Sequence, residues 1–99
     1  MNIQLQIVAD DANVNYKHPH IPEPSGFSDS LKLMKLSKLD AVEWVAVNKN
    51  KYDSKLYIKT IQSHGFVQCQ ELMMMIINEG NAPKEIVDIG DEILELCWD

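Results

Sequence analysis

Residues 83–99, Pro-Lys-Glu-Ile-Val-Asp-Ile-Gly-Asp-Glu-Ile-Leu-Glu-Leu-Cys-Trp-Asp, carry the reading on which the fold assignment turns. Ile86, Ile89, Ile93, Leu96 and Cys97 recur at three- and four-residue steps, the period of a helix with one apolar stripe. Pro83 suits a first helical position, because its missing N–H has no partner to lose there. The spacing predicts a helix over 83–97. Its acids then align as well: at 100° per residue Glu85, Asp88, Glu92, Glu95 and Asp99 fall within about 80° of one another. Like charges at this spacing cost roughly 0.2–0.5 kcal/mol per pair. Such a strained stripe reads either as a solvated face that keeps an acidic protein soluble or as a docking surface for a basic partner, and Trp98 adjoins it.

Working back along the chain, Gln68 to Glu79 places Cys69, Leu72, Met73, Ile76 and Ile77 on one apolar face, with Gly80 as the residue that ends the helix. A helix over 68–79 follows. Met75 falls among Gln68, Glu71, Asn78 and Glu79 on its polar side, where a flexible thioether would suit an adaptable interface; Met73 and Met74 are assigned to the core. Residues 41–48 and 55–61, rich in β-branched and aromatic side chains, read as a strand hairpin around the polar turn from Asn48 to Ser54. The competing reading of 54–65 is a helix ending at Gly65. A short helix is expected over 29–38, capped by Ser28 or Asp29.

The first segment alternates cleanly. Ile3, Leu5 and Ile7 should face a core, with Asn2, Gln4 and Gln6 in water, giving a strand over 2–8. Between it and the short helix lies a loop at 10–27 holding Pro19, Pro22 and Pro24, either functional or packed over the edge of the core. The expected fold is α+β: one globular domain spanning 1–99, with a small, mostly antiparallel sheet covered by two C-terminal helices.

Composition limits the function classes. The chain has 99 residues, 45% apolar and 24% charged, as in an ordinary globular domain. Its longest apolar run, Leu72 to Ile77, is far short of a membrane span. Two cysteines and no secretory leader suggest a cytoplasmic protein with reduced thiols. All nine basic residues are lysine, and the net charge is −6, which disfavours nucleic acid as a partner. The charge is uneven. Residues 31–70 hold seven lysines against Asp40, Glu43 and Asp53, while residues 71–99 hold eight carboxylates against Lys84.

Candidate chemistry is sparse. His18 and His20 flank Pro19 and could point together toward a metal, with Glu23 or Asp10 and Asp11 completing the site. His64 and Cys69 are a minimal nucleophile pair, although Cys69 sits on an apolar helix face. Asn48 to Tyr52 with Lys55, Tyr57 and Lys59 forms a basic patch with interleaved aromatics, suited to stacking single-stranded nucleic acid or to guarding a sheet edge. No phosphate loop or nucleophile elbow is present.

In size and charge the chain resembles small acidic inhibitor and immunity-type proteins. The leading expectation is therefore a non-catalytic protein-binding module without cofactor. It would dock a basic partner through Glu85, Asp88, Glu92, Glu95 and Asp99, with Met75 and Trp98, or self-associate through the Lys-rich 31–59 region. The alternative is a homo-oligomeric small-ligand or accessory domain whose 10–27 loop closes a Met-lined pocket. A metal enzyme using His18 and His20 comes third.

Overall fold

The computed structural model describes residues 3–61, 70–79 and 82–99. The elements run β1 (Leu5–Ala9), a 3-10 turn (Glu23–Ser25), α1 (Ser30–Ser37), β2 (Val42–Asn48), β3 (Lys55–Thr60), α2 (Gln70–Glu79), β4 (Glu85–Asp88) and β5 (Ile93–Cys97). Five antiparallel strands form one sheet in the order β1-β2-β3-β5-β4. The α+β expectation, the two early hairpin strands and the short helix hold. Asp29 is the cap of α1, its Oδ1 accepting from Leu31 N at 2.8 Å and Lys32 N at 3.3 Å.

Leu33 and Leu36 of α1 and Leu72, Met75 and Ile76 of α2 share one buried cluster with Val45, Val47, Leu56, Ile58, Leu94 and Leu96. Both helices therefore cover the same face of the sheet. The opposite, outer face carries a cross-sheet row fixed by register: Ile7, Ala46, Tyr57, Glu95 and Val87. Ala46 and Tyr57 are fully buried yet stand outside the helix-covered cluster.

The main correction concerns the C-terminus. Residues 83–97 form a β-hairpin, not a helix. Gly90 would cost about 1 kcal/mol inside a helix, whereas here it opens the turn at φ 92°, followed by Asp91 at 55° and Glu92 at 64°. Gly90 N donates to Asp88 Oδ1 at 2.9 Å, and Ile89 N donates to Ile93 O at 3.1 Å, closing the hairpin. Leu94, Leu96 and Trp98 are then buried at period two, while β5 fills the space between β3 and β4. Thr60 N donates to Glu92 O at 2.8 Å, fastening the turn to the end of β3.

Two further expectations change. In β1, Leu5 and Ile7 lie on the outer face and Ile7 is 43% exposed. An irregularity between Ile7 and Ala9 shifts the phase, so Val8 and Ala9 are buried instead. In α2 the buried face is Leu72, Met75 and Ile76, rotated from the expected one. Met75 is thus buried, Met73 is half-buried, and Met74 and Ile77 are exposed. The rival helix over 54–65 gives way to β3 through Thr60; residues 62–69, and so His64 and Cys69, lie outside the described residues.

Candidate functional site

The hairpin disperses the acids that a helix would have aligned. Glu85 and Glu95 project on the outer face, Asp88 is opposite Leu94 on the other face, and Glu92 sits in the turn. Asp99 lies beyond β5. Glu95 is occupied by an ion pair with Lys55, Nζ to Oε1 3.6 Å. Trp98 is buried in the core, and its main-chain N–H donates to Ser54 O at 3.1 Å. No common acidic stripe with Met75 and Trp98 exists.

The proline-containing loop is packed onto the body of the protein. Ile21 and Phe27 enter the core, and Asp10 Oδ1 accepts from Ala12 N and Asn13 N at 2.8 and 2.9 Å. That is turn chemistry for the Asp10-Asp11 pair. The loop borders a cleft of about 520 Å³ lined by Tyr16, Lys17, His18, Pro19, Ile21, Glu23, Ser28 and Tyr52. Among the described residues no methionine lines this cleft, so the expected Met-lined pocket is not found at this place.

His18 and His20 meet edge to face, with ring centroids 5.1 Å apart. His18 Nδ1 accepts from the His20 main-chain N–H at 3.1 Å. Its neutral ring therefore carries the proton on Nε2. His20 Nδ1 lies 2.6 Å from Asn48 O; a carbonyl only accepts, so this nitrogen holds a proton. The Nε2 lone pair that a metal needs is consequently present on His20 alone in this arrangement. Among the described residues no group of three His, Cys, Asp or Glu side chains converges as a metal site. Burial, and then the neighbouring His20, lowers the His18 pKa from its ordinary value.

Of the two aromatics in the basic patch, only Tyr52 is exposed. Tyr57 is fully buried, Lys55 pairs with Glu95, and Lys59 Nζ donates to Asp91 O at 2.6 Å. The Tyr52 hydroxyl accepts from Ser54 Oγ at 3.1 Å, which tethers the ring to the turn. The buried Tyr57 hydroxyl has no hydrogen-bond partner in good geometry among the described residues, although the Glu95 carboxylate is its cross-strand neighbour. Burial, reinforced by Glu95, pushes its pKa above the ordinary tyrosine range.

The helical layer holds the surface that periodicity missed. On α1, Leu31 and Met34 are 52% and 37% exposed; on α2, Met74 and Ile77 are 61% and 58% exposed. Each pair lies on its helix away from the buried residues, and the two helices touch. The signal was in the sequence. Six consecutive apolar residues, Leu72 to Ile77, exceed what one buried face of α2 can take, so some of them had to face outward, but the sequence did not say which.

Among the described residues, no helix is long and apolar enough to cross a membrane. No family model, curated protein or solved structure matches the chain.

Proposed function

We propose that this chain is a small, non-catalytic protein-binding module. Its docking surface is the solvent side of α1 and α2, and its partner presents an amphipathic segment flanked by carboxylates. The observation that carries this is the exposure of four large apolar side chains, Leu31, Met34, Met74 and Ile77, on two touching helices. Large exposed apolar side chains gathered on neighbouring helices are a mark of interaction sites, and methionine adapts well to a partner's shape. The charge of the partner follows from α1: Lys32, Lys35 and Lys38 occur along it, with no carboxylate between Ser30 and Lys38.

The test is peptide display against the immobilised protein, using acidic and basic amphipathic helical libraries. The reading requires acidic binders whose affinity falls at least tenfold on Leu31→Asp with Ile77→Asp, while the melting temperature is kept. Binders indifferent to that double change overturn it.

A second reading keeps a basic partner, as an inhibitor or immunity-type protein would have. It is favoured by Ile89, which is exposed in the hairpin turn beside Asp88 and Asp91. Basic binders lost on Ile89→Asp would select it.

A further inference from the structure

Among the described residues the five-stranded sheet ends in β1 on one side and β4 on the other, and it guards these two edges differently. β4 is four residues long and has Glu85 and Asp88 at its ends, the short and charged design that discourages pairing. The β1 edge carries no such protection. From Ile3 to Ile7 it has no charge and no proline, and it reads Ile-Gln-Leu-Gln-Ile, identical in both directions.

The hydrogen-bond phase aims this stretch outward. Lys49 N donates to Gln4 O at 2.8 Å, and Gln6 pairs with Val47, so the even residues turn their main-chain groups toward β2. Antiparallel alternation then leaves the N–H and C=O groups of Ile3, Leu5 and Ile7 facing the open side. Beyond Ile7 the edge is already covered: Asn15 N donates to Val8 O at 2.6 Å, and Ala9 bridges Val14. The open edge and the palindrome coincide.

We propose that a second copy of this chain docks there, antiparallel, about a two-fold axis at Leu5. Ile3 would lie opposite the partner's Ile7 and Leu5 opposite the partner's Leu5, with about six main-chain hydrogen bonds joining the two sheets. The apolar side chains of both copies meet on the outer face, covering the exposed Ile7, while Gln4 and Gln6 line up on the other face. No like charges meet at any paired position. A five-residue edge buries less than the roughly 1,200–2,000 Å² of a stable interface, so the dimer is weak and depends on concentration. This proposal is independent of the helical docking surface.

The experiment is sedimentation velocity from about 10 µM to 1 mM, with amide hydrogen exchange at both ends of that range. The expected result is a growing dimer fraction and at least tenfold slower exchange at Leu5 and Ile7, with Gln6 unchanged. Raising salt should strengthen the dimer, because the two copies each carry a charge of −6. Association of the Lys-rich middle with the acidic C-terminal segment would instead weaken in salt. Leu5→Lys should leave a folded monomer at all concentrations. A wild-type monomer at 1 mM, a dimer undiminished by Leu5→Lys, or slowed exchange elsewhere than on β1 overturns the proposal. Should Leu5→Lys fail to fold, the wild-type exchange pattern decides alone.

Discussion

His20 Nδ1 lies 2.6 Å from the main-chain oxygen of Asn48, twenty-eight residues away, and this contact stitches the proline-containing loop to the end of β2. His18 positions that ring from behind by accepting the His20 main-chain N–H on its own Nδ1. An acceptor nitrogen cannot also carry a proton. The His18 pKa is lowered in the folded protein, so the folded state binds fewer protons than the unfolded state just below the ordinary histidine value of 6.5. Its stabilising contribution is complete above that pH and is lost as the pH falls through the folded value.

Acidification from pH 7.5 to 5.5 should therefore lower the melting temperature. His18→Asn should flatten that dependence. Parallel curves for the two proteins would refute the role given to His18.

Tyr57 behaves in the opposite sense. Its neutral form is favoured by folding, so stability should fall as the pH rises above about 10, where an unfolded tyrosine ionises. Tyr57→Phe removes a buried hydroxyl without a well-placed partner. Chemical denaturation at pH 7 should find the variant equal to the wild type or more stable by up to about 1 kcal/mol, and less sensitive to alkali. A loss of about 2 kcal/mol would mean that the hydroxyl is well bonded.

Gly90 tests the hairpin directly. A Cβ at this position would meet no atom within 4 Å, yet φ is 92°. Gly90→Ala should destabilise by about 1–2 kcal/mol from backbone conformation alone. A helix over the same residues would be stabilised by the change, so the sign measured in urea separates the two structures.

Asp29 supplies both hydrogen bonds at the start of α1. Asp29→Ala should cost about 1 kcal/mol, whereas Asp29→Asn should retain most of the stability. Equal losses for the two would show that charge rather than capping matters.

Much of the frame was legible locally. Asp29 before an apolar-periodic stretch specifies where α1 begins, because the cap bonds close within four residues. The β-branched content of residues 42–48 and 55–60 marks β2 and β3, and the polar turn between them marks their hairpin. The alternation of residues 3–7 specifies a strand. It does not say which face is the inner one, since that was settled by the bulge at Ile7–Ala9 and by where β2 lies.

The candidate sites were less legible. Residues 85–98 satisfy a helical period and a hairpin equally well: Ile86, Ile93 and Leu96 fit one, while Leu94, Leu96 and Trp98 fit the other. Local propensity cannot separate them, because the deciding energy comes from residues distant in the chain. Lys55–Lys59 offers β5 a complete ladder of partners, and Thr60 binds the turn at Glu92. Only when β3 is in place do the backbone hydrogen bonds and buried leucines of the hairpin outweigh those of a helix, and with that choice the acidic side chains are distributed over both faces.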